Sequence, residues 1–497
     1  MDFGFVGQAY AAPDPRQDIQ ICVNWYPEIS QDINQKSKTV KALLGCPGLT
    51  LLPGLPNGVG TGPVRGGLTL PGGAQALVAS GNTIYLLSVA TPPSATAKAI
   101  LTQTTIGTIG SNATPVFMKS NGVGGFVWIV DGSESGYLYE VATQVLTPIA
   151  DAGFYGASRI AFVDGWNIFN KIGTPIFYTS PPPEYSTLPF NATYFDLNDG
   201  TDDQLITLIE QNRLLLLCNE NNSHWWYDAG GQFFPFQRLD GATIQVGCAA
   251  PQTIALFEDG IIWLGKNARG QNTVVQTKGF TYGDVSTIAI NNQIQGYNVI
   301  SDAFGYTYQE NDHEFYMLTF PTADATWCYD GTTKMWHQRA SFDSARGTFH
   351  RHRSNCYFEF QNYRIVGDYQ NGNLYYFDRT NYTDNGAPLV AWRRCPHVWD
   401  EDNYERVNQY TLQIDFIPGL GTATGQGQNP VCMVAYSNDG GQTFGGAKNI
   451  PMGPIGKTKT RSIVYKLNTS RDRVYDVRVS DPVNRDVTSA SLIADVP

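Results

Sequence analysis

Charge is scarce in this chain. Asp, Glu, Lys and Arg together make up 15% of its 497 residues, and the net charge is −11. That balance excludes a protein that coats DNA along its whole surface. No apolar run reaches the roughly 18 residues that a membrane helix needs, and no amphipathic run of helical period extends far enough for a long helix. Eight cysteines occur, none in a C-x-x-C pair, and several sit in apolar stretches, as Cys218 does in LLLLC. They read as reduced, buried thiols acting as small hydrophobes. The start MDFGFVGQAY has neither a basic stretch nor an apolar core of signal-peptide type. The expectation is a protein made in a reducing cytoplasm that stays soluble or joins an assembly, with much of its charge-poor surface covered by partners.

Aromatic residues and turn formers are plentiful: 12% Phe, Trp and Tyr, with 51 Gly and 28 Pro. This composition argues for an all-β protein full of turns, and the length argues for two or three domains. The charge is uneven. From residue 388 onward 12 basic residues face 11 acidic ones, so the net of −12 lies in the preceding part.

The middle of the chain repeats one form: an apolar strand, a polar turn, and a second strand ending in an aromatic and often a carboxylate. ALVASGNTIYLLS from Ala76, VWIVDGSESGYLYE from Val127 and LLLLCNENNSHWWYD from Leu214 show it, as do EFYMLTFPTADATWCYD from Glu314 and YRIVGDYQNGNLYYFD from Tyr363. NIFNKIGTPIFYTS from Asn167 and IIWLGKNARGQNTVVQ from Ile261 complete a set of seven, with anchors at Tyr85, Tyr139, Tyr178, Tyr227, Val275, Tyr329 and Phe377. The anchors recur every ~40–55 residues, the length of a four-stranded propeller blade. Sheets packed radially bury both faces, and each anchor packed between blades is worth about 1.5–3 kcal/mol. The reading is a β-propeller over 61–388, with seven blades or, if the crowded NIFN repeat with its SPPPEYSTLP tail is not one, six. Residues 1–60 lack the repeat. Dense in Pro and Gly, they read as an extended arm lying along another surface. Residues 389–497 alternate like the strands of a separate β-sandwich.

Four stretches carry residue types that chemistry could use. SNDGGQTF at Ser437–Phe444 fits the Asp-box of glycan-cleaving propellers. A single copy outside the repeat reads as a hairpin staple, with Ser437 and Asp439 bonding the turn, Gly440 and Gly441 at positive φ, and Phe444 packed inward. GPIGKT at Gly453–Thr458 lacks the first Walker glycine, because Pro451 stands there, and has no strand-to-helix setting. HRHR at His350–Arg353 puts His350 and His352 on one strand face. A metal would need Cys356 or His337 as a third ligand, and exposed His and Arg at an interface or near phosphate fit better. The basic run Lys457, Lys459, Arg461, Lys466, Arg471, Arg473 and Arg478 reads as a solvent-facing strand surface, or as a dock for an acidic partner subunit. No residue is assigned a catalytic, cofactor-binding or metal-binding role, and no cofactor is expected.

CVNWYPEI (Cys22–Ile29), CPGLTLLPGL (Cys46–Leu55), the glycine-rich Gly58–Gly67, paired strands such as ATWCYDGTTKMWHQR, and the late SNDGGQTF turn follow one another in order. Their succession resembles the packaged-DNA stabilisation proteins, or tail accessory (hub, nozzle) proteins, of short-tailed bacteriophages. The resemblance implies a non-enzymatic virion tail protein, assembled in the host cytoplasm. It implies a homo-oligomeric ring, commonly a hexamer, below the portal and adaptor (head-to-tail connector) rings. Such a ring extends the channel for double-stranded DNA without reading its sequence, helps to retain the genome, and anchors fibres or spikes and a needle or plug. Arms like residues 1–60 would clamp a neighbour. A glycan-binding or glycan-cleaving tail propeller and a cellular propeller scaffold are the competing readings.

Overall fold

The computed structural model describes residues 3–30, 41–110, 113–121, 125–180, 190–198, 203–231 and 234–495. The SPPPEYSTLP segment that made the third repeat look crowded falls almost wholly outside them. Among the described residues the chain is all-β apart from one α-helix, Ile288–Gln295, whose N-terminus is capped by the Thr287 hydroxyl.

Seven sheets follow in chain order, and their first strands start at Val64, Phe117, Ile160, Leu205, Gly247, Phe304 and Ser354. The inner strands of successive blades neighbour one another, with Gly247–Cys248 and Ala255–Phe257 together making the fifth blade's contacts, and the last blade's inner strand lies against the first, which closes a ring. The seven-bladed reading therefore holds, and the six-bladed alternative falls. Each repeat anchor lies on the third strand of its blade, from Tyr85 in Thr83–Thr91 to Phe377 in Leu374–Asp378. The blades stick together through apolar clusters, one per interface. Tyr139 packs between the first and second blades, Tyr178 between the second and third, Val275 between the fourth and fifth, and Phe377 between the sixth and seventh. Tyr227 is an exception. It is only half-buried, and Trp226 fills the interface with Phe177 instead. The pairing of that strand slips between His224 and Trp226, and a slip of one residue exchanges the faces of a strand.

The seventh blade has only three strands of its own. Its fourth is Gly48–Leu51, from the other end of the chain, with Leu49 opposite Phe377 and Thr50 opposite Tyr376. Asn381 holds this strand through its side-chain amide, which donates to the Leu49 carbonyl at 3.0 Å and to the Thr50 hydroxyl at 2.8 Å.

The segment before residue 60 does not reach away from the fold. Its described residues are woven through their own chain. Strand Ile19–Val23 runs parallel to Met335–Gln338, the outer strand of the sixth blade, and antiparallel to Ala391–Arg394 of the C-terminal region. The sixth blade and one sheet of the sandwich thus form a single sheet, which the sequence did not suggest. The hairpin Trp25–Ile29 with Lys41–Gly45 borders the second sandwich sheet, where Leu43 faces Val487. Burial explains the threading. Phe5, Cys22, Trp25 and Leu43 are at most 1% exposed and share one core with the sandwich and the interface between the fifth and sixth blades.

Buried polar groups lock the arm. The Arg393 guanidinium, fully buried, donates to the carbonyls of Phe5 (2.7 Å), Gly4 (3.0 Å), Gln8 (3.0 Å) and Ile21 (3.2 Å) and to the Gln20 amide oxygen (2.7 Å). Asn24, at φ 54°, donates to the carbonyls of Ala340 and Val390 and accepts the Ala340 N–H. Arg485 donates to the carbonyls of Cys46 and Leu389. Charged donors spent on backbone carbonyls satisfy groups that would otherwise be costly to bury. His313 of the sixth blade makes the last clip, with Nδ1 2.8 Å from Asp330 and Nε2 2.6 Å from Glu28 of the arm. Burial alone would push the His313 pKa down, but the two carboxylates outweigh it and hold it above its ordinary 6.5.

Two outcomes follow. A Cβ at Gly48 would stand 2.3 Å from the Asn381 carbonyl oxygen and 2.4 Å from that of Thr383. Gly48→Val should therefore loosen the closing strand and lower stability by about 1–3 kcal/mol, read from denaturant midpoints. Because the folded His313 pKa is raised, its contribution is complete below the unfolded value of 6.5 and is lost as pH climbs through the folded value. Urea unfolding across pH 6 to 9 should show that decline, and Glu28→Gln should flatten it.

Candidate functional site

The first place to look for function in a propeller is its axis, onto which all the inner strands converge. Here the axis is bridged. Arg159 of the third blade donates to the Ile254 carbonyl of the fifth at 2.5 Å and lies 3.4 Å from the Gln252 amide oxygen; Gln252 in turn donates to the Ser158 carbonyl at 3.1 Å. The Arg159 guanidinium also sits 4.4 Å from the Phe117 ring centre of the second blade. Its pKa is pushed down to about 10 by burial. Lys119 of the second blade pairs with Glu210 of the fourth. Both links join blades two apart, so each reaches past the inner edge of the blade between them. Arg65 of the first blade donates to the carbonyls of Thr114 (2.6 Å) and Gly81 (2.7 Å). An axial cavity of about 340 Å³, lined from all seven blades, and a mouth of about 690 Å³ where the inner strands begin are the open volumes on this line. Those are small-ligand volumes; a DNA duplex does not pass through them.

The motifs singled out from the sequence lie apart from the axis. In the Asp-box, Asp439 accepts from the N–H groups of Gln442 (3.1 Å) and Thr443 (2.9 Å) and from the hydroxyls of Ser437 and Thr443. These bonds hold its carboxyl well below the usual range. Gly440 and Gly441 take φ 70° and 86°. Every acceptor of Asp439 is thus spent on its own turn, and the motif is a staple. Phe444 is half-buried, under the Arg394 guanidinium at 4.3 Å from its ring centre, and not in the core. GPIGKT is a turn between Lys448–Pro451 and Ser462–Ser470, with no helix after it.

HRHR separates. His350 meets Asp324 at 2.6 Å, whereas His352 is buried against Ser354, its pKa pushed down to about 3 by burial. Arg353 turns inward to Asp384 (3.1 Å) and Asp368 (3.4 Å), so the segment is not the exposed basic patch expected. Among the described residues no three His, Cys, Asp or Glu could hold a metal ion. The basic run also divides. Arg473, expected on the solvent face, is 1% exposed and donates to the Leu467 carbonyl and Asn438, while Arg478 pairs with Asp476. Lys457, Lys459 and Lys466 remain exposed. All eight cysteines are unpaired, and seven of them are buried.

The axial residues Arg65, Arg159 and Lys119 were missed from the sequence. Their one visible signal is a cation at the head of, or inside, an apolar inner strand, which a repeat alignment made on the outer hairpins passes over.

A propeller is thus followed by a sandwich, tied to it by an N-terminal arm, and two family models match in that order. Residues 97–382 match the one described as "Bacteriophage P22 Gp10, beta-propeller", and residues 393–494 the one described as "Bacteriophage P22 Gp10, beta-sandwich". The chain belongs to the bacteriophage P22 Gp10 family. It is a structural protein of a phage tail. The propeller match starts just before the fourth strand of the first blade, Ile100–Thr108, so the remaining strands of that blade and the closing strand Gly48–Leu51 lie outside it. No curated protein matches the chain. Among solved structures, a chain of "Crystal Structure of Mitotic Checkpoint Complex" is similar at 10% identity and a TM-score of 0.37, over 71% of this chain and 96% of that one.

The axial bridges give a prediction. Arg159→Ala strips the Ile254 carbonyl of its donor and should cost about 1–3 kcal/mol in unfolding free energy, measured by denaturant titration.

Proposed function

We propose that this P22 Gp10-family chain is one segment of a ring in the phage tail, below the portal and adaptor, whose central opening continues the DNA channel. The observation that carries this reading is the bridged propeller axis. Arg159 and the Lys119–Glu210 pair tie inner strands two blades apart, and the axial cavities are of small-ligand size, so the chain has no duplex-wide conduit of its own and a channel has to be made between copies. The chain also suits a building block. Blade six, the arm and one sandwich sheet are hydrogen-bonded into one sheet, and the ring is closed by its own N-terminal strand, so little is left to hinge.

The proposed partners are further copies of this chain, commonly six, the adaptor (head-to-tail connector) proteins above, and fibre or spike and needle or plug proteins at the periphery and tip. Double-stranded DNA passes without sequence readout. The net of −11 per chain favours a bore that repels phosphate, so that DNA slides and is not held. With the arm's described residues spent on their own chain, neighbouring copies are proposed to meet through blade edges and sandwich faces, not through an exchanged arm.

Single-particle imaging of the purified chain, alone and mixed with its adaptor, tests the reading. The expected result is a closed ring with one central opening, formed in at least the mixture. Chains bound to the adaptor without a ring, or a ring whose inner wall is strongly positive, would overturn it.

A further inference from the structure

A cleft of about 590 Å³ lies where the arm crosses the sandwich, beside the Asp-box and far along the chain from the propeller axis. Its charged groups divide into those already spent and those still available. Asp439 is saturated by its own turn, as described above. Asp472 is taken by His397, whose Nδ1 stands 2.7 Å from it, while Nε2 of the same ring is 3.0 Å from the Pro15 carbonyl. Asp439 keeps its charge but has its oxygens occupied by its own turn, and Asp472 is paired with His397. The two arginines differ. Arg16 is exposed, and its backbone N–H donates to Asp14 at 3.0 Å. Arg471 uses one nitrogen, donating to the Tyr404 carbonyl at 2.9 Å. Guanidinium groups carry five donors each, so the cleft keeps a surplus of donors and of positive charge inside a chain that is acidic overall.

The walls supply the second half of the argument. Trp399 and Tyr404 are 41% and 49% exposed, with ring centres 6.0 Å apart. Large aromatics are costly to leave in water, and these two flank the same cleft as the two guanidinium groups. The indole of Trp399 offers a flat apolar face, and the arginines offer the planar fork that fits a carboxylate. A ring with one apolar face, several hydroxyls and one carboxylate matches all of this.

We propose that this cleft binds an acidic saccharide, a sugar ring bearing a carboxylate, which stacks on Trp399 and sets its carboxylate between Arg16 and Arg471. The site takes its ligand without cleaving it: the carboxylate of the Asp-box is committed to its turn, and that of Asp472 to His397. A polynucleotide fits less well, because two arginines in one cleft match a single carboxylate and offer no extended basic track for successive phosphates. This goes beyond the ring proposed above and does not depend on it.

The test uses the full-length chain and its Arg16→Ala and Trp399→Ala variants, checked for unchanged thermal midpoints. Saturation-transfer NMR and titration calorimetry would be run with glucuronate, galacturonate and N-acetylneuraminate. Glucose and galactose serve as neutral counterparts, and inorganic phosphate and a single-stranded oligonucleotide as other anions. The expected result is saturable binding of at least one sugar acid, at least tenfold tighter than its neutral counterpart, weakened about tenfold or more by either variant. No binding of any sugar acid, equal binding of the neutral sugars, or affinity indifferent to both substitutions would overturn the proposal. So would tighter binding of phosphate or of the oligonucleotide.

Discussion

The propeller rests on one long-range pairing, Gly48–Leu51 against Leu374–Asp378. Propeller blades hold one another chiefly by apolar side-chain contact, and a ring held that way has a seam wherever the chain begins and ends. Building the last blade from both ends of the propeller replaces the seam with backbone hydrogen bonds. The same stretch of chain then does more. Before it reaches the closing strand it has passed between the sixth blade and the sandwich and has bordered the second sandwich sheet. Ring closure and domain attachment are therefore one structural event, and the buried Arg393, Asn24 and Arg485 fix it with donors that leave few arm carbonyls unsatisfied.

That rigidity bears on function through what it rules out. A propeller that works as an enzyme or a receptor commonly keeps an open pocket at its axis. In this chain the axis is braced by Arg159, Lys119 and Glu210, and the described residues leave modest cavities there. The polar links at the inner strands tie blades together beside those cavities and stiffen the ring from within.

Much of the propeller was legible in the sequence because its physics is local. Hairpin strands of alternating burial carry a period of about two, and their recurrence sets the blade length. Tyr139, Tyr178, Tyr329 and Phe377 all proved to be inter-blade residues for that reason. Tyr227 misled because a register slip, invisible in the residue pattern, moved the burial to Trp226. The arm misled in a different way. Its Pro and Gly content correctly excluded a core of its own, but composition says nothing about which surface an extended segment lies on. The partners of Cys22, Trp25 and Leu49 are more than 300 residues away. Arg473 likewise reads as one more surface cation until the carbonyl of Leu467 and the side chain of Asn438 are seen around it.

The path of the arm also has a temporal side. Residues 19–51 leave the ribosome early, but the strands they pair with, at 335–338, 374–378, 391–394 and 487–495, emerge late. A nascent chain therefore carries open strand edges through most of its own synthesis, and its topology favours slow, late consolidation. Residues 19–45 of the same segment complete the sandwich sheets, so the closing of the propeller and the completion of the sandwich both wait for the C-terminal strands.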